Sequence, residues 1–183
     1  MTRLLIFALD IGVNLGVAIG RPGEVPRSFS VRLKKPSEPP QIAGGNLIAF
    51  LQGEWSKERP GLMFKEAPPA LGGFAKMMNS EATVRLTYSL HGIAEAMAAR
   101  FKIAAAEKAV ASIRKHYVGS SGRGERAATK RLVIQRGQLL GYLPKDCKDD
   151  NRADALAAWS WAETHLARSP PRILHMFGEA ATQ

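Results

Sequence analysis

Near the amino terminus six apolar residues, Leu4-Leu5-Ile6-Phe7-Ala8-Leu9, run without interruption into Asp10. So short an apolar run reads as a buried β-strand, since a membrane span needs about 20 residues and the apolar part of a secretion signal is also longer. Residues 13–20, after the Gly12 turn, read as its hairpin partner. In residues 27–33 Phe29, Val31 and Leu33 alternate with polar positions, which fits a third, more exposed strand. Residues 34–40 hold Pro36, Pro39 and Pro40 and read as a loop. From 41 to 59 the residues Ile42, Leu47, Ile48, Leu51 and Trp55 recur at helical spacing until Pro60-Gly61 stops the helix.

Residues 62–64 begin a fourth strand that ends at Glu66. Pro68, Pro69, Gly72 and Gly73 then predict a loop, with Phe74, Met77 and Met78 exposed or at an interface. Beyond it the pattern predicts a helix over 80–100, a strand over 101–106, a short helix over 109–117, a Gly/Ser loop over 118–124, a basic helix over 126–140 and a last helix over 151–168. The expected fold class is α/β: one domain, residues 1–168, with five strands in a mixed sheet flanked by helices and a tail over 169–183.

The chain has 183 residues, enough to bury a substantial core, and 45% hydrophobic content argues against disorder as the main state. A single cysteine, Cys147, excludes a disulfide framework and any zinc site needing two thiolates, and points to a reducing, cytoplasmic setting with no membrane partner. The 26 Lys and Arg against 16 Asp and Glu leave a formal charge of +10, an attractive field for polyanions. Arg114, Lys115, Arg123, Arg126, Lys130, Arg131 and Arg136 cluster between residues 112 and 137, opposed there only by Glu125, which favours a phosphate-contacting face and makes nucleic acid the leading partner.

Three acidic positions fall where strands or helices end: Asp10 after the first strand, Glu66 after the fourth, and Asp150 with Asp154 at the start of the last helix. Asp150 and Asp154 are four apart and share a helix face, as do Asn151 and Asp154. Each acid alone has a plain structural account, a turn for Asp10, a solvated strand end for Glu66 or a helix cap for Asp150. Asp154 is different, because Ala153, Ala155, Leu156, Ala157, Ala158 and Trp159 surround it and an unpaired charge among them would be costly. Clustered carboxylates without histidine suit Mg²⁺, with Mn²⁺ as a substitute, and suit phosphodiester hydrolysis, in which two metal ions about 3.5 to 4 Å apart stabilise the attacking and leaving oxygens. His91, His116, His165 and His175 are scattered and lack zinc spacing.

The segment Leu9-Asp10-Ile11-Gly12-Val13-Asn14-Leu15-Gly16, Glu66 at a strand end, Val118-Gly119 ahead of a basic helix, and Asp150-Asn151-Arg152-Ala153-Asp154-Ala155-Leu156 together resemble the RuvC-like Holliday junction resolvases, especially their phage-type members. The match spans residues 4–164. The resemblance implies a ribonuclease H-like five-stranded fold, a homodimer, and Mg²⁺-dependent paired nicking of branched DNA such as four-way junctions, forks or flaps, with Asp10, Glu66 and Asp154 as metal ligands. The family's other carboxy-terminal acid stands three residues before the last, where this chain has Asn151; Asp150, one step earlier, carries the charge that Asn151 lacks, and either could complete the site. The resemblance also points to Arg126 and Lys130, with Lys115 nearby, as phosphate contacts that neutralise phosphoryl charge, Lys130 being the catalytic one, and offers Phe74 as the aromatic wedge; the basic stretch adds Arg123 and Arg131 as DNA contacts.

Two other readings compete. A branched-DNA-binding protein without cleavage would follow if Asn151 costs the site a metal. An actin-like or sugar-kinase-like nucleotide-binding domain would follow from Asp10-Ile11-Gly12 and Gly16 read as a phosphate loop, although those proteins need two such domains.

Overall fold

The structure, a computed structural model, describes residues 4–68, 80–119 and 126–167. Strands β1 (Ile6–Asp10), β2 (Asn14–Gly20), β3 (Arg27–Arg32), β4 (Leu62–Glu66) and β5 (Ala104–Lys108) form one sheet in the order β3-β2-β1-β4-β5. The β1–β2 and β2–β3 pairs are antiparallel, whereas β4 runs parallel to both β1 and β5. The helices described are α1 (Pro40–Lys57), α2 (Glu81–Arg100), α3 (Val110–Val118), α4 (Arg126–Leu139) and α5 (Asp150–Leu166). Phe74, Met77, Met78, Arg123 and the 169–183 tail lie outside the described residues, and no described helix is long and apolar enough to cross a membrane.

The uninterrupted apolar run at β1 has its reason in the topology: β1 is the middle strand and is covered on both sides. The pleat sends Phe7 and Leu9 toward α1 and α2, where Leu47, Leu51, Trp55, Leu90 and Met97 close one core. Ile6 and Ala8 point the other way, into a second core with Ile113, Val133, Leu156 and Trp159. The same alternation divides β4, with Met63 facing the α1–α2 layer and Leu62 and Phe64 the α5 layer. Two residues beyond Ala8 and Phe64, Asp10 and Glu66 therefore fall on the α5 side of the sheet.

The fifth strand departs from expectation. The sequence predicts it over 101–106, but it spans Ala104–Lys108. Three residues are used to close α2: the Phe101 N–H bonds the Met97 carbonyl at 3.0 Å, Lys102 takes a left-handed φ of 55°, and the Ile103 N–H bonds the Ala98 carbonyl at 2.9 Å. The Phe101 ring packs edge-on against Trp55, so its apolarity serves the helical layer and not the strand.

On the other face, small residues let α5 settle close to the sheet. Gly16, Ala18 and Gly20 share the α5 side of β2, and Gly16 pairs with Asp10. A Cβ on Gly16 would lie 2.0 Å from the Asn151 carbonyl oxygen and 3.2 Å from the Asp10 Cβ, so only glycine permits this contact. Farther along, Trp159 Nε1 donates to the Gly20 carbonyl at 3.3 Å and Arg152 Nε to Ser28 Oγ at 2.8 Å. Gly16→Ala should therefore destabilise the protein by about 1–3 kcal/mol through overpacking. Gly45→Ala, in α1 with nothing within 4 Å of the added methyl, should stabilise it by about 0.5–1 kcal/mol. Urea unfolding of the two variants tests the contrast; equal effects would mean that the α5–β2 contact is not tight.

Candidate active site

Parallel pairing of β1 with β4 brings Asp10 and Glu66 to the same end of adjacent strands. The amino terminus of α5 lies over that end, because Asn151 packs on Gly16 in the row beside Asp10. Asp149 caps α5, its side chain accepting from the Arg152 N–H at 3.1 Å, so Asp150 is released from the capping role that the sequence allowed it. Asp154, one turn farther along, is buried.

The acids bias one another's ionisation. Burial, then the charge of Asp154, raises Asp10 from 3.8 to about 7; Asp150 pushes the same way, while Lys130 and Arg114 pull it down. Burial, then Asp10 and Asp154, lifts Glu66 well above the usual carboxylate range, with Arg114 opposing. Glu66 Oε1 is buried without a hydrogen-bond partner. Asp150 behaves differently: burial raises it, but the hydrogen bond and charge of Lys130 outweigh that and hold it below its ordinary value.

Two cations enter the cluster. Lys130 Nζ on α4 pairs with Asp150, and Arg114 on α3 stands 3.7 Å from Asp154 Oδ2, with its own Nε buried and unpartnered. Arg114 is a site residue that the sequence reading did not single out beyond its place in the basic stretch. The available signal was helix phase: Ile113 and Tyr117 are the buried positions of α3, so Arg114 sits beside the core while Lys115 is exposed. Arg131 is exposed too, and Arg126 is the first residue of α4. Asn151 turns its amide toward Asp150, donating to Oδ1 at 3.4 Å.

Among the described residues no three side chains of His, Cys, Asp or Glu form a ready coordination shell. The donor set still fits a hard dication. Every candidate ligand is an oxygen, Glu66 presents an orphaned buried oxygen, and the mutual repulsion that lifts Asp10 and Glu66 is what a dication would relieve. Two of the four acids, Asp150 and Asp154, stand in ion pairs with Lys130 and Arg114.

No family model matches the chain, and neither does any curated protein. Solved structures do. The RuvC structure from Thermus thermophilus superposes with a TM-score of 0.60 at 17% identity, over 85% of this chain and 90% of that one. T. thermophilus RuvC in complex with a Holliday junction substrate gives 0.62 at 16%, with the same coverage. The yeast mitochondrial Holliday junction resolvase Ydc2 gives 0.52 at 12%, over 84% of this chain and 75% of that one. Strand order, the two helical layers and these superpositions agree: the chain has the fold of the RuvC-type resolvases, a ribonuclease H-like mixed five-stranded sheet flanked by helices.

Proposed function

We propose that this protein is a divalent-metal-dependent, structure-selective endonuclease that nicks branched DNA, acting as a homodimer with one site for each of two strands. The observation that carries this reading is that Asp10, Glu66 and Asp154, from three distant parts of the chain, lie close enough to oppose one another's ionisation, and that Glu66 has a buried oxygen with no hydrogen-bond partner. The neighbour solved with a Holliday junction supports branched DNA as the substrate class, and the charge of +10 supports a polyanionic partner.

In this reading Asp10, Glu66 and Asp154 would hold Mg²⁺ or Mn²⁺, with Asp150 as the fourth, charged ligand and Asn151 beside it as a neutral oxygen donor. When bound, the ions would supply Lewis-acid stabilisation of the attacking and leaving oxygens. With a dication bound to the carboxylates, Lys130 and Arg114 would be available to offset charge on the non-bridging oxygens of the scissile phosphate. Lys115, Arg126 and Arg131, with Arg123, grip flanking phosphates without reading sequence, and Phe74 is the wedge candidate at the branch point.

The test is a labelled four-way junction titrated with Mg²⁺ or Mn²⁺, for which symmetric nicks are expected. Asp10→Asn should cut nicking by about a hundredfold or more while leaving junction binding in EDTA nearly unchanged. A mobility shift without nicks at any metal concentration would favour the binding-only reading, and loss of binding in Asp10→Asn would assign Asp10 a structural role.

The raised Asp10 pKa sets a second expectation. Because the folded state holds the Asp10 proton more tightly than the unfolded chain, the ionised carboxylate weakens folding progressively as pH rises from near 3.8 to about 7. In EDTA, Asp10→Asn should therefore melt higher than the parent at pH 8, with the gap closing toward pH 4. Mn²⁺ should raise the melting temperature of the parent more at pH 8 than at pH 6, where protons compete, and should raise that of the variant less. A melting difference independent of pH would contradict the electrostatic account.

A further inference from the structure

Lys65 immediately precedes Glu66 in β4 and is 2% exposed, a rare state for a lysine. The pleat sends it to the face opposite Glu66, the side of Met63 and α2. There its ammonium meets two carboxylates from two other elements: Glu107, its register partner on β5, and Glu95 on α2, at 3.0 Å. His91, one turn before Glu95 on the same helix face, is buried beside them with Nδ1 unpartnered. Burial, and then the charge of Lys65, lower His91 to about 4, so the imidazole is neutral at neutral pH.

This arrangement is a poor source of stability. The lysine gives up its hydration, whereas Glu95 and Glu107, about half exposed at 54% and 47%, would be well solvated without it. An apolar side chain of equal length would fill the same space at less cost. Geometry offers another use. Glu66 is pushed by Asp10 and Asp154 and has one carboxylate oxygen without any partner, so little on its own face fixes its direction. What ties down the end of β4 is the ladder, with the Ala67 N–H bonding the Lys108 carbonyl at 2.9 Å, together with Lys65 pinned to α2 and β5.

We propose that the Lys65–Glu95–Glu107 cluster is a clamp on the far face of the sheet that holds the end of β4 so that Glu66 is presented to the metal site, making Lys65 a positioning residue. The clamp rests on the reading of Asp10, Glu66 and Asp154 as metal ligands. It acts through the backbone of one strand: a twist or slip at residue 65 is transmitted directly to residue 66, whose side chain points the opposite way.

Lys65→Met keeps the buried stem and removes the charge, and it separates this role from a structural one. The Mn²⁺ concentration for half-maximal thermal stabilisation, and that for half-maximal junction nicking, should both rise about tenfold, while the melting temperature in EDTA stays equal to or above that of the parent. Glu107→Gln, which leaves Lys65 paired with Glu95, should move both Mn²⁺ midpoints in the same direction by less. An unchanged Mn²⁺ midpoint in Lys65→Met, or a loss of fold in EDTA, overturns the clamp. The two readings fail differently. If the parent itself shows neither Mn²⁺ stabilisation nor nicking, the metal site is wrong and the clamp goes with it; if the parent responds and Lys65→Met responds identically, only the clamp is wrong.

Discussion

Backbone contact between α5 and β2 at Gly16 is the constraint on which the site depends. Layers packed through their side chains stand well apart, about 10 Å for two stacked sheets. Here a glycine row lets the Asn151 carbonyl sit where a Cβ would be, and the helix end comes down beside Asp10. An alanine at this position would force the amino terminus of α5 to shift away from β2, and with it the placement of Asp150 relative to Asp10. The alanine-rich inner face of α5, with Ala153, Ala155, Ala157, Ala158 and Ala162 buried, extends the same logic along the helix.

Close approach has an electrostatic cost. Four carboxylates in one neighbourhood repel one another, and the protein meets this in two ways: Asp10 and Glu66 bind protons more readily, while Asp150 and Asp154 pair with Lys130 and Arg114. These responses follow position. Asp10 and Glu66 project from the sheet, and burial is the largest cause that raises them, whereas the two helix acids lie within reach of α3 and α4. The site is thus a balance of charges that a dication could enter by displacing protons from one pair and ammonium or guanidinium from the other.

Much of this was legible in the sequence, for reasons that can be located. The β1 run and the Asp10 that ends it are set by burial on two faces, and period and composition report burial directly. The helix phase that joins Asp150 to Asp154 follows from spacing alone. The misses have a different character. Residues 101–103 look like the start of a strand because Phe101 and Ile103 are apolar, yet closing α2 uses them. Asp149 and Asp150 are chemically alike, and only the backbone bend decides which one caps. Arg114 and Lys115 are likewise adjacent cations, and helix rotation, known once Ile113 and Tyr117 are seen buried, decides which one reaches Asp154. The partners of Lys65 come from α2 and β5, segments 30 and 42 residues away, and no local pattern announces such a meeting.

The cations of this chain consequently divide into two kinds. Lys130, Arg114 and Lys65 are each committed to a carboxylate, so their effect is local and tunes the ionisation or placement of particular groups. Lys115 and Arg131 are exposed on the same helical layer and belong to the long-range field. The two kinds respond differently to salt. Exposed charges are screened within about 10 Å at 0.1 M ionic strength, whereas pairs shielded from water are screened much less. A net charge of +10 alone would describe a protein that attracts any polyanion. Net charge counts every cation alike, but neighbouring acids fix where Lys130, Arg114 and Lys65 hold theirs, whereas the charge of Lys115 and Arg131 is spread into solvent.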